Sequence, residues 1–192
     1  MSVTENVWWM IALIVLLSVV WIVLVSWKNG ISPMPASKAV RLTVAGEVNR
    51  IPGYANILET GSGWGTLGLE VVRRCPGKRL TGIENSRIPL MFSQLLTILY
   101  DRLQRTAGGQ SHVQSTLHFI KEDMYSVAYR DADIVLCYLF PGAMERLSDK
   151  FRQELPPGAV VISVCFALPD RQPVRILTCR DRLRTKVYVY AF

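Results

Sequence analysis

The chain has 192 residues, half of them hydrophobic, and that length favours one domain whose core needs no disulfide staples. From Lys28 on, 22 basic and 14 acidic residues leave a net charge of +8. That balance suits an anionic membrane surface, a nucleic acid or an acidic partner without choosing among them, and no Lys/Arg run sharpens it towards nucleic acid. The four cysteines, Cys75, Cys137, Cys165 and Cys179, show no C-x-x-C pair and no histidine at ligand spacing. They read as reduced thiols, with no metal expected, and Cys137 and Cys165 sit inside apolar, strand-like runs.

Taken in order, the chain opens with Val7–Trp27, 21 residues without a formal charge. A bilayer core of ~30 Å needs about 20 helical residues, and Trp8, Trp9 and Trp27 stand at the two ends of the run, where indoles favour an interface. The basic leader and small-residue cleavage site of a signal peptide are missing, so residues 1–28 are predicted as a retained transmembrane anchor. Lys28, Lys38 and Arg41 follow the run while Glu5 precedes it, which puts the remainder on the cytoplasmic or a topologically equivalent side. Residues 29–54 read as a linker, broken by Gly30, Pro33 and Pro35, and a helix from Lys38 to Asn49 capped by Ser37.

Strands and helices then alternate over residues 55–192. Strands are predicted at Ile57–Glu59, Arg79–Glu84, Leu117–Glu122, Asp133–Leu139 and Ala159–Leu168, and helices at Thr66–Arg74, Ile88–Gln104 and Ala143–Leu155. Val174–Cys179 and Lys186–Phe192 lack an intervening helix and read as an antiparallel edge hairpin. His112 and His118 fall in or beside the polar connection around Gly108-Gly109. The expected fold is α/β: a doubly wound, mostly parallel seven-stranded sheet covered on both faces, with an antiparallel C-terminal edge hairpin and one transmembrane helix before it.

The stretch that carries chemistry is Asn56-Ile57-Leu58-Glu59-Thr60-Gly61-Ser62-Gly63-Trp64-Gly65. A buried strand runs into alternating glycines and then a helix, so a ligand can approach the backbone and meet the helix's positive end. Gly63, Gly65 and Gly68 formally match G-x-G-x-x-G, the dinucleotide pattern. The better frame is Glu59-x-Gly61-x-Gly63-x-Gly65, because an acid at the strand end repels a pyrophosphate and suits an ammonium. S-adenosyl-L-methionine carries an ammonium, a sulfonium and a nucleoside, and Glu84 ends the next strand where an acid takes a ribose diol. As a strand-end acid, Glu84 reads as removable with little effect on the melting curve.

With the acid-glycine motif, Glu84 and Asp123 ending strand three, the sequence resembles the class I (seven-stranded) S-adenosylmethionine-dependent methyltransferases, over about residues 55–192. Pro33-Met34-Pro35-Ala36-Ser37, and the stretch from Glu154-Leu155-Pro156-Pro157-Gly158-Ala159 through Ser163, Phe166, Leu168 and Pro169, resemble a narrower group. These are the membrane-anchored lysine methyltransferases of the ATP synthase c-subunit and the adenine nucleotide translocase. Two departures stand out: Trp64 where the family often has a second acid, and no long helix after strand five.

The resemblance implies a Rossmann-like fold and a role for each matching position. Glu59 and the backbone of Gly61, Ser62, Gly63 and Gly65 would hold the methionine part of the cofactor. Glu84 would take the ribose, with Asn85 lining the same pocket, and Asp123 with the Met124 backbone would face the adenine. Tyr138, Phe140 and Pro141 follow strand four, where the acceptor nitrogen approaches, and Pro35 and Ser37 of the pre-motif would meet the substrate. The acceptor expected is a lysine of a membrane or membrane-apposed protein. A lipid or quinone-like molecule, RNA, and a tethered module that binds the cofactor without chemistry remain as alternatives.

Overall fold

The structure is a computed structural model that describes residues 3–29, 35–106 and 115–192. Pro33 and Met34 of the pre-motif, and Gly108, Gly109 and His112, lie outside them. The chain divides into two compact units, Met1–Met34 and Pro35–Phe192.

In the first unit α1 spans Val3–Asn29. The expected transmembrane span is corrected here: among the described residues, no helix is long and apolar enough to cross a membrane. The single-pass localisation and the orientation drawn from the flanking charges fall with it.

The second unit is built on one seven-stranded sheet. Its elements are α2 (Lys38–Val48), β1 (Ala55–Thr60), α3 (Thr66–Arg74), β2 (Lys78–Glu84), α4 (Arg87–Thr106), β3 (Thr116–Lys121), β4 (Ile134–Cys137), α5 (Pro141–Glu154), β5 (Val160–Val164), β6 (Arg175–Thr178) and β7 (Lys186–Ala191). The strand order is β3-β2-β1-β4-β5-β7-β6. β1 to β5 pair in parallel, while β7 runs antiparallel to both β5 and β6. The order reverses between β1 and β4, and in open α/β sheets the crevice at such a switch point binds the ligand.

Two cores flank this sheet. On the first face Val40, Val44, Leu67, Val71 and Leu90 of α2, α3 and α4 pack on Ile57, Leu80, Leu136 and Ile162. On the second, Met144, Leu147 and Phe151 of α5 pack on Val135, Val161 and Tyr190, with Phe151 edge-on to Tyr129 at 5.0 Å. Both faces are covered, but unequally: among the described residues α5 is the one helix on the second face. α2 is also pinned across the first face by Glu47, which is buried and pairs with Arg175 of β6 at 3.0 Å. Lys78 fixes the link from α2 to β1 by donating to the carbonyls of Ile51 and Gly53, each at 2.7 Å.

Two strands are shorter than their apolar runs. β4 stops at Cys137, freeing Tyr138 and Leu139 to leave the sheet. β5 stops at Val164, because Cys165 turns the backbone with φ +74 and the Phe166 amide reaches back to the Val164 carbonyl at 2.9 Å. This is a γ-turn with a positive central φ, a strained form for a residue with a side chain. It brings Cys165 to the surface instead of into the strand.

Candidate active site

The site forms where β1 ends. Alternation along β1 points Ile57 and Glu59 to the first face, and Glu59 is 4% exposed. Its Oε2 has no hydrogen-bond partner. Burial pushes the Glu59 carboxyl up to about 8; the Gly68 amide offsets part of that, and the neighbouring Glu84 charge adds to it. A buried carboxylate in this position is stabilised by a cation, and an ammonium held there would draw it back to the ionised form.

The chain then turns through three glycines with positive φ: Gly61 at +64, Gly63 at +53 and Gly65 at +72. A Cβ on Gly65 would stand 2.6 Å from Ser93 Cβ and 2.7 Å from the Phe119 ring, so both conformation and space demand glycine. The Ser62 amide donates to the Ile83 carbonyl at 2.9 Å, tying the turn to the end of β2. Gly68, read from sequence only as the last glycine of the dinucleotide pattern, packs its bare Cα against Glu59 and Leu80. The structure also brings in residues that sequence reasoning passed over: Gly82 of β2 leaves room for the Phe119 ring and Ser62. A glycine inside a strand signals such close approach, so Gly82 was the visible clue. Ser93 and Phe119 carried none.

Glu84 closes the other side of the turn. Its Oε2 accepts from the Gly63 amide and its Oε1 from the Ser86 amide, both at 2.8 Å. The side chain is 8% exposed, in contrast to the removable strand-end acid read from sequence. Each oxygen keeps acceptor capacity for a ligand hydroxyl. Asn85 beside it is exposed and accepts from the Ser86 hydroxyl at 3.1 Å. Asp123 follows β3, is exposed, and accepts from the Tyr125 amide at 3.0 Å, with Met124 half-buried next to it.

A family profile described as the ANTKMT methyltransferase domain matches residues 59–175, more than half of the chain. The chain belongs to that family. A curated relative, the adenine nucleotide translocase lysine N-methyltransferase of Mus musculus, is 33% identical over 75 residues. That match spans 39% of this chain and 33% of the relative's length. Among solved structures, an RNA methyltransferase from Salinibacter ruber aligns with a TM-score of 0.64 at 22% identity, over 82% of this chain and 93% of its own. The tRNA (uracil-54, C5)-methyltransferase of Pyrococcus abyssi aligns with a TM-score of 0.52 at 17% identity, over 78% of this chain and 37% of its own. At these identities the likeness shows the fold. Both were solved with S-adenosyl-L-homocysteine, in keeping with the cofactor expected from Glu59 and the glycine turn.

Within this ANTKMT-type domain the residues expected at the acceptor follow β4. Glu59 pairs in register with Leu136, and Tyr138 stands two residues further on. Tyr138 is half-buried against the first core and Phe140 against the second, so the two rings lie on opposite sides of the sheet. Phe140 caps α5 through its carbonyl, which accepts from the Ala143 and Met144 amides at 3.1 Å, and Pro141 takes the first helical position. Burial raises the Tyr138 phenol, as do the charges of Cys165 and Asp181, so its hydroxyl stays protonated at neutral pH. Ser37 caps α2 through Val40 and also donates to Asp181 at 3.4 Å, joining the pre-motif to the β6–β7 turn. Pro35, two residues earlier, is exposed. Trp64 meets Phe92 of α4 edge-on, with ring centroids 5.4 Å apart. Among the described residues no group of His, Cys, Asp and Glu is arranged to hold a metal ion.

Proposed function

We propose that this chain is an S-adenosylmethionine-dependent methyltransferase whose acceptor is a lysine side chain of a protein. The observation that carries the reading is the buried Glu59, with Oε2 unpartnered, at the head of a glycine turn that no side chain could enter. An orphaned carboxylate beside a bare backbone fits an amino-acid ammonium and rejects a pyrophosphate. When bound, the cofactor supplies an electrophilic methyl group carried on a sulfonium.

The rest falls to residues of the chain. Glu59 would hold the ammonium, and the Gly61–Gly65 backbone would receive the methionine part. Glu84, already fixed by two amides, would accept the ribose hydroxyls without having to reorganise. Asp123 and Met124 would border the adenine, with Asn85 alongside. Tyr138, on the face that Glu59 occupies, would border the acceptor, while Phe140 and Pro141 would fix the start of α5 behind it, and Pro35 and Ser37 would meet the protein that carries the lysine. Lining up nucleophile, methyl and sulfur supplies most of the rate in such a displacement. A lysine must shed its proton first, and an apolar, aromatic surround favours the neutral amine. A protonated phenol at Tyr138 suits that surround and gives no base.

Lysine is supported by the mouse relative, an adenine nucleotide translocase lysine N-methyltransferase, of whose length the match spans 33%. The test is calorimetry with S-adenosylmethionine, then labelled-methyl transfer into a total extract with the labelled species identified by mass. Binding followed by label on protein lysine is expected. Label in RNA or in a small molecule, or binding with no transfer, would overturn the lysine assignment.

A further inference from the structure

Helix α4 carries its apolar side on the wrong face for a helix that serves the core alone. Its inward face holds Leu90 and the fully buried Ser93, whose hydroxyl is spent on the Leu90 carbonyl at 2.8 Å. Its outward face holds Ile88, Met91, Phe92, Leu95, Ile98 and Leu99, all between 42% and 68% exposed. Spacings of three and four put these six on one stripe, which runs about 17 Å along the 20-residue helix. The exposed apolar area is roughly 600 Å², the top of the range for a free monomer surface and a large part of the ~800 Å² each partner gives to a standard interface.

Two observations indicate what covers it. The stripe is continuous with the site, because Phe92 meets Trp64 of the glycine turn and α4 begins three residues after Glu84. Whatever lies along α4 therefore ends beside the cofactor turn. The charge also discriminates: from Lys28 on the chain carries +8, and Arg87 stands at the start of α4. A second copy would bring like charge against like, whereas a partner with acidic flanks would be drawn in.

We propose that the outward face of α4 is the docking surface for an apolar helical segment, acidic at its flanks, of the protein that accepts the methyl group. The inference rests on the methyltransferase reading and adds how the acceptor is chosen: an amphipathic helix lies along α4 and delivers a neighbouring lysine to the site.

The probe is a synthetic 20-residue helix with leucines at i, i+3, i+4 and i+7, glutamates on its other face and one lysine near an end. Calorimetry and labelled-methyl incorporation are measured with the full chain and with a Leu95→Glu, Leu99→Glu double variant, whose altered side chains point to solvent. The wild type should bind and label the peptide, and the variant should lose about tenfold or more in peptide affinity. Affinity for S-adenosylmethionine and the thermal midpoint should be unchanged. Equal peptide binding by the two proteins overturns the proposal. So does a wild-type dimer that the variant dissolves in sedimentation, or binding to anionic vesicles that the variant alone loses. Failure of the wild type to bind S-adenosylmethionine sinks the methyltransferase reading by itself, while the peptide arm still reports on α4.

Discussion

Glu59 and Gly68 are fitted to each other: a Cβ on Gly68 would stand 2.5 Å from Glu59 Oε2 and 3.0 Å from Leu80 Cδ2. Gly68→Ala sets two effects in opposition. Alanine in a helix is favoured over glycine by about 1 kcal/mol, while the methyl displaces a buried carboxylate. The thermal midpoint should therefore change little, and S-adenosylmethionine affinity should fall about tenfold or more. Differential scanning fluorimetry and calorimetry on the same preparation separate the two.

The raised Glu59 carboxyl makes stability depend on pH with a definite sign. Below the ordinary value of 4.5 the group is protonated in both folded and unfolded chains and contributes no difference. Between 4.5 and about 8 the unfolded chain gives up the proton first, so the folded state loses stability as pH rises. Glu59→Gln removes that loss. It should be more stable than the wild type at pH 8 by on the order of a few kcal/mol, the gap closing towards pH 5, while cofactor affinity drops. Urea unfolding at the two pH values tests this; a variant less stable than the wild type at pH 8 would refute it.

Much of this was legible in the sequence, for physical reasons. The motif at Glu59–Gly65 is local, and glycines with positive φ cannot be replaced freely, so turn and cofactor class were readable from ten residues. The alternation of strands and helices followed from apolar runs of strand length separated by capped helices. What stayed hidden was non-local. Glu84 read as removable without cost to stability because its amide partners at Gly63 and Ser86 are set by the fold, and Tyr138 and Phe140 read as one lining because the break after Cys137 that parts them leaves no mark in composition. Cys165 looked buried because a γ-turn is invisible inside an apolar run. The misjudged span rested on the uncharged run Val7–Trp27 and the indoles at its ends.

Gly65 and Gly53 share a left-handed backbone but not their surroundings. Both have φ above +70, yet a Cβ on Gly53 meets nothing within 4 Å, while one on Gly65 runs into Ser93 and Phe119. Gly53→Ala should cost only the backbone strain, about 1 kcal/mol. Gly65→Ala should cost more than that by about 1–3 kcal/mol and should abolish cofactor binding. Equal losses in chemical denaturation would mean that the crowding at Gly65 relaxes freely.

Glu84→Ala now carries a stability cost that its place in the sequence did not suggest. The substitution leaves the Gly63 and Ser86 amides without the carboxylate that both bond at 2.8 Å. Hydrogen bonds to a charged acceptor contribute about 1.5–3 kcal/mol each, part of which water recovers once the side chain is gone. A loss of about 2–3 kcal/mol is expected, together with weaker cofactor binding. Glu84→Gln keeps one acceptor oxygen and should lie between the two in both measurements.

Tyr138 separates acceptor chemistry from cofactor binding. It lies on the face that Glu59 occupies, beyond Leu136, while the glycine turn and Glu84 make their contacts without it. Tyr138→Ala should lower turnover by about tenfold or more and leave S-adenosylmethionine affinity within about twofold, since alignment and desolvation of the amine are lost and the cradle is not. Tyr138→Phe keeps the ring and discards only a hydroxyl that burial already holds protonated, so most of the activity should return. If the phenylalanine variant were as slow as the alanine one, the hydroxyl would have to act directly on the acceptor. If both kept full turnover, Tyr138 would be a packing residue at the end of β4.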